Sequence, residues 1–256
     1  MNKRIKIIIG LLSVLLFTAA AAMFVVIKTD LFLADIRPAK LGGEKQAAVL
    51  LNKMRAAHDP TGAWNRIKKV RMSWKGFVPS TPARFGFGVP HEQVRLTMEF
   101  SPREKGPYKV DLKSGKLTIS GEVDTRRDRD GLGLLYDSVR HLFELPIEGK
   151  RTEFMRAMSG AHWNDRAHER LFLSWGKGIA TGEYDQLILW LQAGRLTRFD
   201  TTGRDIAPFI VARVEYRSYT VFEEMILPGK VVILDTKGAV VHEWELIRAE
   251  KLPRGR

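Results

Sequence analysis

The sequence predicts an α+β protein: a single large, strongly curved antiparallel sheet with helices packed on its concave side, preceded by an N-terminal transmembrane helix. Three features carry this. Ile7 to Ile27 is a run of 21 residues without a charge. Apolar and polar residues then alternate with period two through neighbouring segments joined by glycine-containing turns, as antiparallel strands with one buried face require. Two stretches switch to three- and four-residue spacing, the period of amphipathic helices.

A helix over Ile7–Ile27 is roughly 30 Å long, the thickness of a bilayer's hydrocarbon core. Lys3, Arg4 and Lys6 precede it, so the positive-inside rule keeps the N-terminus in the cytoplasm and sends the remainder across. A cleavable signal peptide is the alternative, with Ala19 to Ala22 as small residues at the cleavage site. Met23 to Ile27 continues the apolar run past that point, where a signal peptide turns polar, and this favours the anchor. The expected location is the bacterial inner membrane, single-pass, with the C-terminal domain in the periplasm, or the periplasm itself if the N-terminus is cleaved. The expected partition is 1–28 anchor or signal peptide, 29–43 linker with Pro38 and Gly42-Gly43, 44–252 sheet domain, and 253–256 basic tail.

Glu44 to His58 reads as the first helix of the domain: Ala48, Leu50, Leu51, Met54 and Ala57 share a stripe. Asp59-Pro60-Thr61-Gly62 closes it as a turn. Strands follow at Ile67 to Trp74, at Val94 to Phe100, through Tyr108, Val110 and Leu112, and through Leu117 and Ile119. Phe77 to Pro90, with Pro79, Pro82 and Pro90 and with Gly76, Gly86 and Gly88 in and beside it, reads as a long loop, with Phe85 and Phe87 exposed or lid-like. Leu132 to Leu145 is a second helix, ended by Pro146, and Glu153 to Met158 a short helical piece. Strands resume at Leu171 to Trp175, Gln186 to Leu191, Leu196 to Asp200, Phe209 to Thr220, Lys230 to Asp235 and Val240 to Ile247. Ala193-Gly194 and Lys237-Gly238 are hairpin turns.

The composition narrows the chemistry. There is no cysteine, which excludes disulfides, thiolate metal sites, cysteine nucleophiles and a lipid-modified N-terminal cysteine. The net charge of +13 suits anionic headgroups or acidic polymers. The basic residues are interspersed with acids, so no nucleic-acid partner is expected. The histidines lack metal-ligand spacing, and surface or cap positions are expected for them. His162 and His168 are six apart, which a helix would place on different faces. Asp128, Asp130 and Gly131 match only part of a calcium loop, and Gly131-Leu132-Gly133 lacks the third glycine of a dinucleotide loop. Ser159 and His162 have no orienting acid. Glu223 and Glu224, adjacent on a strand, would face opposite ways and make a poor acid–base pair. No catalytic residue, cofactor or metal is expected. Six tryptophans and 13 phenylalanines are more apolar surface than two helices cover. Either the core closes on itself or a lipophilic ligand fills the remainder.

Several segments resemble the LolA-like periplasmic lipoprotein-carrier and lipid-binding superfamily. They are the helix ending near His58-Asp59, then Gly62-Ala63-Trp64 feeding the first strand, Tyr184 to Leu191, Gly194 to Phe199, the long strand through Tyr216, and Glu224 to Lys230 with its Leu227-Pro228 pair. The resemblance implies an unclosed half-barrel whose mouth is covered by helices, with an acyl-chain cavity inside and no catalysis. The carriers are soluble and shuttle, whereas this chain carries an anchor. The expected function is therefore non-enzymatic handling of a lipid or lipophile by a tethered, periplasm-facing domain. Val70, Met72, Trp74, Val94, Leu96, Leu189 and Leu191 would line the cavity, and Phe77, Phe85 and Phe87 its rim. The alternative is a protein-interaction module of an envelope assembly with a filled core. A weaker third reading is a hydrolase using His162 or His168.

Overall fold

A computed structural model describes residues 36, 40–102, 107–124, 131–149, 152, 154–175, 185–203 and 210–253. The expected anchor, most of the linker and the end of the basic tail lie outside these residues. Among the described residues no helix is long and apolar enough to cross a membrane.

Eleven strands form one antiparallel sheet: β1 (Val70–Phe77), β2 (Gln93–Phe100), β3 (Tyr108–Ser114), β4 (Leu117–Val123), β5 (Phe154–Trp163), β6 (Arg166–Ser174), β7 (Gln186–Gln192), β8 (Arg195–Thr202), β9 (Val211–Phe222), β10 (Met225–Leu234) and β11 (Val240–Lys251). Their spatial order is β4-β3-β2-β1-β11-β10-β9-β8-β7-β6-β5. Neighbours other than β1–β11 follow one another in the chain, β2 after a helix-containing segment at residues 78–92; β4 and β5 are the outermost strands, β5 bridged at Met158 by Leu41, so the sheet is unclosed. Helices α1 (Glu44–His58), α2 (Thr81–Phe87) and α3 (Gly131–Glu148) complete the α+β architecture. This is the half-barrel arrangement that the sequence resemblance implies.

The strands form for the reason the alternation gives. In β2, Val94, Leu96, Met98 and Phe100 are buried while Gln93 and Arg95 are exposed. The inner face so created packs in one cluster with Leu50, Leu51 and Met54 of α1 and Leu135, Val139, Leu142 and Phe143 of α3.

Four local expectations are corrected. Phe77–Pro90 is not a continuous loop: Phe77 ends β1, and α2 forms because Ser80 caps it, accepting from Ala83 N–H, while Pro82 sits in its first turn, where a missing N–H is harmless. Gly88 at φ 67° closes it in the left-handed conformation. Second, the Glu153–Met158 region is strand, not helix, from Phe154 onward, paired along β6. Third, Pro146 does not end α3, which continues to Glu148. A proline there leaves the Leu142 carbonyl without its i+4 donor, and the buried Tyr216 hydroxyl donates to that oxygen at 2.9 Å. Fourth, Glu223 and Glu224 are not on a strand. Both have φ in the left-handed region, 48° and 68°, as a type I′ turn between β9 and β10 requires.

The Leu227-Pro228 pair lies inside β10. A proline cannot donate to a ladder, and the register with β9 shifts between Pro228 and Lys230, so Gly229 is taken up in a bulge.

Candidate functional site

Two surfaces of the sheet carry candidate chemistry, and they lie on opposite faces. On the helix-covered face, all seven side chains expected to line a cavity come together. Val70, Met72, Trp74, Val94, Leu96, Leu189 and Leu191 are each at most 2% exposed and belong to one apolar cluster. Trp74 meets Phe143 of α3 with ring centroids 5.5 Å apart. In this conformation, then, the helices lie directly on these residues. Trp74 is also distinguished by a buried indole N–H that has no hydrogen-bond partner among the described residues.

The three expected rim residues separate. Phe85 projects from α2 into solvent, 90% exposed. Phe87, one turn end away, packs inward, edge-on to the His242 ring at 5.3 Å. Phe77 lies on the opposite face, where with Lys75, Gln93, Glu243 and Glu245 it lines a polar pocket of about 250 Å³.

The histidines are not confined to surface and cap positions. His58, His168 and His242 are buried. His58, at the end of α1, bridges two strands: Nδ1 meets the Ile226 carbonyl at 2.9 Å and Nε2 accepts from Leu196 N–H at 3.2 Å. That pattern needs the neutral ring with its proton on Nδ1, and burial lowers the His58 pKa in keeping with it. The His242 Nδ1 accepts from the Trp244 indole at 2.9 Å, and burial lowers its pKa to about 4. His162 and His168 lie on paired strands one register step apart but project from opposite faces, so they form no joint site. No group of three metal-ligating side chains is assembled among the described residues. Ser159 sits where the β5–β6 register shifts, with its hydroxyl and carbonyl facing Arg170.

A buried ionic group holds α3 to β3. Arg140 donates to Glu144 at 2.9 Å, to the Tyr108 hydroxyl at 2.5 Å and to the carbonyls of Ser101 and Pro102. Its guanidinium lies over the Phe100 ring, 4.8 Å from the centroid. An arginine within an otherwise apolar helical stripe was the available sequence signal for it.

On the opposite face, Met158, Phe172, Ile188 and Trp190 form a second apolar cluster, with Ile36, Leu41, Phe154, Ala161 and Trp163 packed on it. Sequence reasoning did not separate this cluster from the first.

The site thus defines a class: an open antiparallel half-barrel whose continuous apolar face is covered by helices. No protein-family model matches the chain, and no curated protein matches it in sequence. Among solved structures it is similar to a domain from Vibrio parahaemolyticus assigned as an outer membrane lipoprotein-sorting protein, at 8% identity over 84% of this chain and 95% of that one, TM-score 0.45. A LolA superfamily protein from Nitrosomonas europaea is similar at 10% identity over 81% and 94% of the two chains, TM-score 0.42. A DUF1329 family protein from Desulfovibrio piger is similar at 7% identity over 84% and 95%, TM-score 0.43.

Proposed function

We propose that this chain is a non-catalytic lipid- or lipophile-handling domain, tethered to the bacterial inner membrane by Ile7–Ile27 and facing the periplasm. The observation that carries the reading is Trp74. A hydrogen-bond donor left unpaired inside an apolar cluster is unfavourable by about 1–3 kcal/mol. A ligand that combines an acyl chain with a carbonyl oxygen, such as a fatty-acid ester, supplies both what the surrounding face and what the indole N–H lack. Val70, Met72, Val94, Leu96, Leu189 and Leu191 then line the acyl site, and the present conformation is the closed form, with α1 and α3 seated where the chain would lie. Phe85 and Phe87 on α2, with Phe77 beyond, mark the entrance.

The test is native mass spectrometry of the full chain purified in mild detergent from bacterial membranes, followed by organic extraction. An acylated lipid should co-purify, and Trp74→Phe, which keeps the ring and removes the donor, should lower its occupancy about 5–10-fold, the worth of one hydrogen bond. A second reading, an interaction module of an envelope assembly, is favoured by the near-complete burial of all seven cavity residues. It prevails if the protein is lipid-free, takes up no added fluorescent fatty acid, and becomes more stable on Trp74→Phe.

A further inference from the structure

The outer face of β5–β9 carries an organised mixture of arginine and aromatic side chains that the lipid-handling reading does not use. Two cross-strand rows define it. One runs Arg156, Phe172, Ile188, Asp200, Arg213, and the next Met158, Arg170, Trp190, Arg198, Glu215. Partners directly opposite on neighbouring strands share a face, and the apolar members of these rows belong to the outer cluster. Trp163 pairs with Arg166 on the same side, and Arg217 joins it through Glu215. Among the described residues six arginines therefore share this face with the carboxylates Asp200 and Glu215, while Asp185 joins through Thr202 and Glu44 reaches Arg156 from the edge.

Two of these arginines lie over tryptophan rings. The Arg198 guanidinium is 4.5 Å from the Trp190 centroid and 5.4 Å from Trp163, and that of Arg170 is 4.9 Å from Trp190. Arg198 is held there by Asp200, to which Nε and Nη2 donate at 2.7–3.0 Å, and Arg170 by the Ser159 carbonyl and hydroxyl, so each stack is fixed from its edge. The Arg213 Nε faces Asp200 Oδ1 at 3.7 Å and Arg217 pairs with Glu215 at 3.2 Å, while the side chains of Arg166 and Arg217 are exposed.

The chain's own path says what this face meets. Ile36 packs on the outer cluster, and its N–H is held by Gln186 Oε1 at 3.1 Å. Leu41 bridges to Met158. Only eight residues lie between Ile27 and Ile36, and the nine steps between the two span at most about 30 Å. A bilayer entered at Ile27 is therefore within that reach of the arginine–tryptophan face. Tryptophan and arginine are the side chains that favour the headgroup layer.

We infer that the outer face of β5–β9, centred on Trp163, Trp190, Arg166 and Arg170, docks on the anionic phospholipid surface of the membrane that anchors the chain. The inference rests on the tethered reading proposed above. Docking here turns the helix-covered face away from the bilayer plane and leaves its entrance free.

The chain has no cysteine, so a single introduced one takes a label uniquely. The full chain carrying Gln192→Cys, beside Arg166, or Thr118→Cys on the far edge strand, is labelled with a fluorophore. Each is reconstituted into nanodiscs of phosphatidylcholine alone or with about 30% phosphatidylglycerol, the proportion chosen to give an anionic surface. Acrylamide quenching at position 192 should fall several-fold in the anionic discs, position 118 should not change, and about 0.5 M salt should reverse the protection. Each of Arg166→Gln and Arg170→Gln should weaken docking roughly 5-fold. Equal quenching at position 192 in both discs, with the protein still disc-bound, overturns the docking face and leaves the anchor standing. A chain that does not stay in discs overturns the tether. Flotation with phosphatidylglycerol vesicles then decides the surface alone: arginine-dependent binding keeps it, and no binding overturns it. A single-stranded oligonucleotide that displaces the discs overturns it in favour of nucleic acid.

Discussion

Replacing Tyr216 by phenylalanine is expected to destabilise the protein by about 2 kcal/mol, and to do so because of a proline 70 residues earlier in sequence. The Tyr216 hydroxyl is fully enclosed, burial holds its pKa well above the usual tyrosine range, and it donates to the Leu142 carbonyl. Pro146 cannot supply the N–H that would otherwise satisfy that oxygen. Removing the hydroxyl leaves a buried acceptor unpaired, about 1–3 kcal/mol, with almost no change in apolar volume. In a Pro146→Ala background the helix can bond the Leu142 carbonyl itself, and Tyr216→Phe should then cost about 0.5 kcal/mol. The assay is thermal unfolding of the full chain in mild detergent, followed by tryptophan fluorescence. For a domain of this size 1 kcal/mol corresponds to about 2–4 °C in Tm, so the single variant should lose about 4–8 °C and the same change in the alanine background about 1–2 °C. The coupling energy from the four proteins is the quantity of interest. Equal losses in both backgrounds, agreeing within about 0.3 kcal/mol, would refute the argument that the tyrosine repairs the proline's missing bond.

Three further outcomes are expected. Burial lowers the His242 pKa from 6.5 to about 4, so the folded protein resists protonation while the unfolded chain accepts it. Stability is unaffected by this group above pH 6.5 and declines as pH falls from there to about 4, by about 3 kcal/mol in total. A pH titration of Tm should show the decline, and His242→Gln should flatten it; an unchanged slope removes His242 as its source. A Cβ at position 76 would sit 2.5–2.8 Å from the Trp244 ring, so Gly76→Ala should cost about 1–3 kcal/mol. The same change beside Trp244→Leu should cost little, and additive losses would show that the ring is not the obstacle. Arg140→Met strands the Glu144 carboxylate and should cost about 3–5 kcal/mol, whereas Arg140→Met with Glu144→Leu should return to within about 1 kcal/mol of the parent. A double variant no better than the single would mean that the bonds to Ser101 and Pro102, not charge pairing, secure α3.

Much of the sheet was legible because its strands are buried on one face, and period-two alternation reports that directly. The boundaries of β2, β3 and β7 lie within two residues of the sequence reading. Where reading failed, a tertiary partner decided. Met155 and Ala157 alternate like a strand, but the segment is too short to exclude a helical turn until β6 pairs with it. Pro146 stops a helix in isolation, and only a tyrosine from β9 makes its continuation tolerable. The glutamate pair at 223–224 has none of the glycine or asparagine that marks a type I′ turn, so the turn follows from hairpin register rather than residue preference. For the site, alternation selected seven residues that do share one face. It had no means to show whether helices or a ligand cover them, because a cover reaches across the chain.

The distribution of tryptophans and of continuous apolar runs separates the two faces. Trp64, Trp74 and Trp244 lie in the helix-covered core, while Trp163 and Trp190 lie on the other side. In β1 to β3 buried residues alternate with exposed or half-buried ones, as one covered face requires. In β7 six consecutive residues, Gln186 to Leu191, are buried, and a strand reads as a continuous apolar run only when both its faces are covered. The inner cover is α1 and its neighbours. On the outside, among the described residues, Ile36, Leu41, Phe154, Ala161 and Trp163 pack on the cluster, and Arg170 and Arg198 lie over Trp190. A surplus of arginine over carboxylate, held over tryptophan, is what the proposed contact with anionic headgroups would keep solvated and charged. The two faces of β5–β9 are thus covered by different chemistry, helices and apolar side chains within and arginine over tryptophan without.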